Sequence, residues 1–205
     1  MAASREIPRE IEIKLKVPCT YELMAQRLVA AGAQYRREVL ETNIFLDSPD
    51  GQLSAVRAAL RIRHQITSDG QVLPSVVTWK GPRTGQQISN RPSVDFYAQP
   101  PEMAELLFVA LGYIKTMEFE KRRRSYVFQN CLVELDEMPQ FGFFMEIEAP
   151  DEAAVAAARH GLALDDLAVV DISYFAMVRD YLRQHPDLGG KLHFPGAASH
   201  DSHVL

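Results

Sequence analysis

The segment Glu10-Ile11-Glu12-Ile13-Lys14-Leu15-Lys16-Val17 decides the fold, because charged and aliphatic residues alternate through it without interruption. A period of two is typical of a β-strand with one charged and one apolar face. Similar patterns predict further strands, and turn residues such as Ser48-Pro49-Asp50-Gly51 separate some of them. These strands are expected at about 36–47, 57–66, 74–80, 91–98, 118–128, 131–137 and 143–149.

Helices are predicted between some of these strands and after the last one. Capping residues, proline and glycine set their limits. The expected helices run from Thr20 to about Ala31, from Pro100 to near Gly112, from an N-cap at Asp151 to Gly161, and from about Asp165 or Asp171 to Gln184. The order of elements is therefore β-α-β-β-β twice, followed by two helices. Residues 1–184 are predicted to form a single domain, and 185–205, without periodicity, a mobile tail.

Length and composition limit the function classes. The chain has 205 residues, of which 47% are hydrophobic and 24% charged, as in a soluble globular protein. The net charge of −5 argues against a protein that coats nucleic acid, so no nucleic-acid partner is expected. No apolar run is long enough for a membrane span, and the polar N-terminus does not resemble a signal peptide. Cys19 and Cys131 do not make a disulfide framework, so a cytoplasmic location is predicted.

The charged strand faces repeatedly carry like charges at spacing two. Two interpretations are open: the faces are exposed to solvent, or they point into the fold. Adjacent like charges repel, which a plain solvent-facing surface would tend to avoid. Four amphipathic helices also need an apolar sheet surface to cover, which leaves the charged faces pointing inward. The residues concerned are Glu10, Glu12, Lys14, Lys16, Arg61, Arg63, Lys80, Arg91, Lys121, Arg123, Glu134, Asp136, Glu146 and Glu148.

An inward charged face excludes a dry core, because each buried unpaired ion costs about several kcal/mol. We therefore expect a wet tunnel in which acids and bases lie apart and hold a ligand. Clustered carboxylates favour Mg²⁺ or Mn²⁺, and clustered Arg and Lys favour phosphate. These eight bases and six acids sum to +2, which leaves −7 for the rest of the chain.

Seven short motifs in order extend this pattern over roughly residues 8–184. They are Glu10-x-Glu12-x-Lys14, Asn43-Ile44-Phe45-Leu46-Asp47, Ala59-Leu60-Arg61-Ile62-Arg63, Trp79-Lys80-Gly81-Pro82, Lys121-Arg122-Arg123, Val133-Glu134-Leu135-Asp136 and Phe143-Phe144-Met145-Glu146-Ile147-Glu148. The set resembles the CYTH superfamily, the triphosphate tunnel metalloenzymes. The resemblance implies an α+β fold in which eight antiparallel strands form a tunnel with helices outside.

The resemblance also implies roles for individual residues. Metal ligands would be Glu10, Glu12, Asp136, Glu146 and Glu148, with Mg²⁺ or Mn²⁺ as the cofactor. Phosphate would be bound by Lys14, Arg61, Arg63, Lys80, Arg91, Lys121 and Arg123, and the catalytic set would be Glu10, Glu12, Lys14, Lys80 and Asp136. Lys16 and Glu134 lie on the same faces without an assigned role.

The expected activity is metal-dependent hydrolysis of a small triphosphate: tripolyphosphate, thiamine triphosphate or a nucleoside triphosphate. Two alternatives stay open, a class IV adenylate cyclase and a non-catalytic polyphosphate-binding module. One departure concerns the family's Arg-x-Glu-x-Glu, which here reads Arg91-Pro92-Ser93-Val94-Asp95 and weakens the acidic pair. The only partner expected is the small-molecule substrate, and no membrane partner is expected. A homodimer is an open alternative to a monomer.

Overall fold

The computed structural model describes residues 6–196 and shows a closed antiparallel barrel of eight strands. Their order around the barrel is β2-β3-β4-β5-β1-β8-β7-β6, and a pairing of β2 with β6 closes it. The predicted α+β tunnel is therefore confirmed, with strand ends within a few residues of expectation. The strands are β1 Arg9–Val17, β2 Gln34–Asp47, β3 Ala59–Thr67, β4 Ser75–Lys80, β5 Ile88–Ala98, β6 Ile114–Phe128, β7 Cys131–Met138 and β8 Gly142–Ala149.

Five helices accompany the barrel, and side-chain caps fix the start of three of them. Thr20, Asp151 and Ser173 each accept a hydrogen bond from a backbone N–H three residues later. Among the described residues, no helix is long and apolar enough to cross a membrane. The helices are α1 Tyr21–Ala30, α2 Gln52–Ala55, α3 Met103–Ala110, α4 Glu152–Gly161 and α5 Tyr174–Gln184.

The aliphatic faces of the strands point outward and are covered by helices. Leu15 of β1 lies in one buried cluster with Met24 of α1 and Val155 of α4. A second cluster joins Ile62 of β3 to Ala104 of α3. Because the side chains of a strand alternate between its two faces, this outward packing turns the charged faces into the barrel. The inward interpretation of the charged strands is therefore the one the fold adopts.

Helix α5 closes one end of the barrel. Inward-facing Phe45, Phe119 and Phe144 form a buried cluster there with Tyr174 and Val178 of the helix. Of the two predicted helix starts, Asp171 lies within three residues of the observed start at Tyr174, whereas Asp165 is wrong, because 165–167 form a turn and bend and the chain that follows is extended. It pairs with β1 through hydrogen bonds from the Lys16 N–H to the Ala168 carbonyl and from the Val170 N–H to the Lys14 carbonyl.

The segment after α5 is attached to the barrel where a mobile tail was expected. A 3₁₀ turn at Pro186–Leu188 leads into β9 (Lys191–Leu192), which pairs in parallel with β6 at Glu118 and Phe119. The physical reason is an open edge: β7 pairs with β6 only from Arg122 onward, so the earlier part of β6 offers unpaired backbone groups. The mobile tail is thus corrected for 185–196, and 197–205 lie outside the described residues.

The turn after β2 is organised by one buried carboxylate. Asp47 accepts hydrogen bonds from the backbone N–H groups of Ser48 (2.8 Å), Leu53 (2.9 Å) and Ser54 (3.0 Å), and from the Ser54 hydroxyl (2.6 Å). Although burial acts to raise the pKa of Asp47, these hydrogen bonds lower it below its usual value. The carboxylate therefore fixes the start of α2 and the connection from β2 to β3.

We predict that Asp47→Ala lowers the free energy of unfolding by about 1–3 kcal/mol at pH 7, since it leaves buried donors unpaired. A group with a lowered folded-state pKa stabilises above its unfolded pKa of about 4, and this contribution is lost as the pH falls through the folded value. The difference between variant and unmodified protein, measured by urea unfolding, should therefore shrink below about pH 4. Asp50→Ala in the same turn is the control, because Asp50 is exposed and should change little. An equal loss in both variants would contradict the role of Asp47.

Candidate active site

Arg123 of β6 is the centre of a buried ion-pair network inside the barrel. Its Nε and Nη2 atoms bind the two carboxylate oxygens of Asp136 on β7, each at 2.6 Å. The same guanidinium contacts Glu146 on β8 at 2.6 Å and also Glu134. Because the Asp136 side chain is fully buried, these contacts replace the water that its charge would otherwise require. Three acids from two strands are thus arranged around one planar cation.

A second cluster lies nearer the end of the barrel opposite α5. Lys80 of β4 binds Glu10 of β1 at 2.7 Å, and Arg91 of β5 bridges Glu10 and Glu12 at 3.3 and 3.1 Å. Although burial acts to raise it, the pKa of Glu10 is held at about 2 by the charges of Lys80 and Arg91. This cluster joins three neighbouring strands through their inward side chains.

Glu41 of β2 is a buried acid that the sequence interpretation did not select. Its carboxylate lies 3.5 Å from Arg63 and 3.4 Å from Lys121, and it accepts a hydrogen bond from Gln65 at 2.8 Å. The signal was present, because Glu41 and Asn43 alternate with Thr42 and Ile44 in the predicted strand 36–47. Including Glu41 reduces the net charge of the interior set from +2 to +1.

Tyr174 of α5 also reaches the site, which strand patterns could not have predicted. Its hydroxyl donates to Asp136 at 2.8 Å, and Lys14 Nζ lies 3.8 Å from the centre of its ring. Lys14 further contacts Glu146 at 3.4 Å and donates to the carbonyl of Ile172 at 3.2 Å. Lys16 is different: it binds the Phe141 carbonyl at 2.6 Å and lies over Phe144, apart from the ion pairs.

The expectation that interior acids and bases lie apart is wrong. Nearly every predicted phosphate-binding cation is paired directly with an interior acid, because opposite charges brought together inside the barrel compensate one another. Arg61 is the exception among the described residues, since its one side-chain hydrogen bond goes to Thr78. Burial and the charge of Arg63 lower the pKa of Arg61 to about 10. Arg61 is therefore the cation with most to gain from an anionic ligand.

Carboxylates with weaker compensation occur between β1 and β8. Glu12 and Glu148 are partners in the strand register. Desolvation and the charges of Glu146 and Glu10 raise the pKa of Glu12. Partial desolvation, with the charges of Glu10 and Glu134, raises the pKa of the more exposed Glu148 to about 7. Crowded carboxylates of this kind suit a hard divalent cation, whose charge would relieve their repulsion. Their donor set fits Mg²⁺ or Mn²⁺.

The five predicted metal ligands do not form one group. Asp136 and Glu146 are bound to cations of the protein, and Glu10 is bound to Lys80 and Arg91. Within residues 6–196, no three Asp, Glu, His or Cys side chains converge as a ready metal site. Glu12 contacts one cation, Arg91 at 3.1 Å, and Glu148 has no ion pair among the described residues, so these two are the pair whose surroundings best suit a metal.

The departure from the family's acidic pair also has a structural counterpart. Ser93 is opposite Lys80 in the strand register, and its hydroxyl is buried without a hydrogen-bond partner among the described residues. Asp95 is exposed. Neither side chain supplies a buried carboxylate at this position, so the acidic groups near Lys80 come from β1.

Comparison with known proteins agrees with this geometry. Residues 8–163 match the CYTH domain. The chain belongs to the CYTH family. No curated protein matched it. Among solved structures, similarity extends over most of the chain at low sequence identity, which shows a shared fold.

Three of these structures illustrate the shared fold. The PH1819 protein of Pyrococcus horikoshii OT3 is 21% identical with a TM-score of 0.70, covering 84% of this chain and 99% of its own. A Hippeastrum protein named as a candidate adenylyl cyclase with a dominant triphosphatase activity is 19% identical with a TM-score of 0.69, covering 84% and 96%. A candidate adenylate cyclase of Vibrio parahaemolyticus is 21% identical with a TM-score of 0.70, covering 85% and 99%.

We predict that Glu41→Ala lowers the free energy of unfolding by about 3–5 kcal/mol, because it leaves buried Arg63 and Lys121 without their shared acid. The matched control is Glu137→Ala, which removes a partner of Arg122 at the barrel surface, where the two side chains are 27% and 48% exposed. Its expected cost is below about 1 kcal/mol. Denaturant unfolding of both variants measures the difference. Equal costs would show that the interior pairs are as weak as the surface pair.

Proposed function

We propose that this CYTH protein is a divalent-metal-dependent triphosphatase that acts on a small triphosphate inside the barrel. The observation that carries the proposal is the convergence of cationic side chains from five strands on one enclosed space. Six of these cations are paired with an acid that a phosphate could replace. Arg61 has no acidic partner among the described residues. The contributing residues are Lys14, Arg61, Arg63, Lys80, Arg91, Lys121 and Arg123.

The ion pairs prepare the site for an anion. Arg63 and Lys121 share Glu41, and Lys80 and Arg91 share Glu10, so each acid is already divided between two cations. A triphosphate carries several negative charges and many acceptor oxygens. It can therefore bind these cations with little rearrangement of their side chains, and preformed donors can stabilise the charge that develops on the transferred phosphoryl group.

Glu12 and Glu148 are the residues that would hold Mg²⁺ or Mn²⁺, as an expectation for this chain. When bound, the metal would neutralise phosphate oxygens and assist formation of a nucleophilic water. Arg61 and Arg63 would hold the phosphate chain in line for attack by that water.

An adenylate cyclase activity is the second candidate, because a similar fold carries that name. A nucleotide base needs an aromatic or apolar surface next to the phosphate site. The interior between the ion-pair clusters carries charged and small polar side chains, and the ring of Tyr174 is already covered by Lys14. This composition favours hydrolysis of a triphosphate whose phosphates alone are bound inside.

A reducing compartment such as the cytoplasm is part of the proposal. Cys19 and Cys131 are both free thiols, and burial raises the pKa of the Cys131 thiol, which lowers its reactivity. A small-molecule substrate also requires no nucleic acid or membrane as a partner. A homodimer is an open alternative to a monomer in this proposal.

The decisive experiment incubates the protein with tripolyphosphate, thiamine triphosphate or ATP in Mg²⁺ or Mn²⁺ and identifies the products. We expect orthophosphate release that stops on addition of a chelator. Cyclic AMP with pyrophosphate would establish the cyclase instead. Binding of tripolyphosphate without turnover in either metal would establish the non-catalytic module.

We predict that Glu148→Gln and Arg63→Ala each reduce kcat/KM for the best substrate at least about a hundredfold, since the first removes a proposed metal ligand and the second a cation that would bind the reacting phosphates. Arg36→Ala is the matched control, because Arg36 is an exposed arginine on β2 and its loss removes the same charge. Steady-state kinetics with confirmed folding by circular dichroism provide the measurement. Unchanged turnover in Glu148→Gln would contradict its assignment.

A further inference from the structure

Arg83 lies outside the barrel strands but borders the same interior space. It belongs to the connection between β4 and β5, and its side chain lines a small cavity together with Lys14, Arg91 and Ser89. Glu12 is the only acid on that lining. None of the family-like motifs in the sequence includes Arg83. Arg83 is therefore a third cation on the cavity that Lys14 and Arg91 also line.

Asp171 and the backbone carbonyl of Gln86 hold Arg83 in its present position. The Nη2 atom of Arg83 lies 2.7 Å from the Asp171 carboxylate, and Nη1 donates to the Asp171 carbonyl at 3.0 Å. The next carbonyl, that of Ile172, accepts from Lys14 at 3.2 Å. Two consecutive residues before α5 thus offer oxygen atoms to two cations, which is the type of contact that a phosphoryl group makes.

The Arg83 side chain has unused binding capacity. Its Nε atom is buried and has no hydrogen-bond partner among the described residues. The Asp171 side chain is 58% exposed, so it can exchange its arginine for water at low cost. Arg83 can therefore leave Asp171 for a ligand with more oxygen atoms.

The strand register shows that this cavity extends from the level of Arg91 inward to the level of Lys14. Lys80 is opposite Ser93, which lies two residues after Arg91 on β5. Arg91 is itself opposite Glu10 on β1. Lys14 lies four residues further along β1 toward α5, about 13 Å deeper by strand geometry. The cavity of about 20 Å³ has room for one or two water molecules, so a phosphoryl group enters only when Arg83 and Asp171 separate.

We propose that Arg83 binds the innermost phosphoryl group of a triphosphate and so favours triphosphate over diphosphate, with Asp171 occupying the arginine until that group arrives. This inference rests on the proposed function, because it assumes that the barrel binds a triphosphate. A diphosphate held by Lys80 and Arg91 leaves the part of the cavity beyond Arg91, which Arg83 and Lys14 line, without a phosphoryl group. Arg83 is thus a specificity-determining residue for chain length.

The test measures equilibrium binding of inorganic tripolyphosphate and of pyrophosphate by calorimetry, in chelator so that no turnover occurs. Loss of a charge-assisted contact in Arg83→Ala should weaken tripolyphosphate binding about tenfold and pyrophosphate binding less than about twofold. Arg83→Lys should restore part of the loss. Asp171→Asn should strengthen tripolyphosphate binding, because the competing carboxylate is gone. Arg36→Ala again controls for the loss of one positive charge.

The outcomes separate the two proposals. Equal weakening of both ligands in Arg83→Ala, or no weakening of either, would overturn the role of Arg83 while the proposed function stands. Unchanged or weaker tripolyphosphate binding in Asp171→Asn would also overturn the exchange between Asp171 and the ligand. Failure of the unmodified protein to bind tripolyphosphate both in chelator and in Mg²⁺ would overturn both proposals together.

Discussion

The rest of the structure depends on the compensation of buried charge inside a closed barrel. The outward strand faces are occupied by the helices, so most inward charges are paired with one another inside the barrel. Arg123 shows how this is done, because one planar guanidinium faces Asp136, Glu134 and Glu146 from two other strands. Such pairs contribute little net stability compared with an apolar core, but breaking one is costly. A cation inside the barrel can therefore exchange its acidic side-chain partner for a phosphate, whereas the loss of that partner without replacement would be costly.

This constraint links the fold to the proposed chemistry. An acid such as Glu41 keeps Arg63 and Lys121 oriented without a ligand, and a phosphate can then contact side chains that are already positioned. The orientation cost of binding is lowered, which is the general advantage of a preorganised site. Glu12 and Glu148, the carboxylates with raised pKa values, favour a cation instead, because its charge would offset the repulsion from neighbouring acids. Phosphate and metal thus complement different parts of one network.

The sequence predicted the barrel and most of its inward residues because strand alternation is a local property, read from neighbours in the chain. It could not predict which acid pairs with which base, because that depends on strand register and on closure between β2 and β6. The same strand alternation could have identified Glu41. It could not identify Tyr174, because the sequence pattern of a helix packed across the end of the barrel does not reveal a contact with Asp136. The attachment of β9 likewise follows from an open edge of β6, which exists only in the folded sheet.

The apolar cluster under α5 covers one end of the barrel, so a substrate would enter from the opposite end. Phe45, Phe119 and Phe144 meet Tyr174 and Val178 at the closed end, and pairing before and after α5 secures the helix on both sides. A long linear phosphate polymer cannot be threaded through a barrel covered at one end and can present only its terminus. Under the proposed function, cleavage would therefore proceed from chain ends, and each product would leave by the route through which the substrate entered.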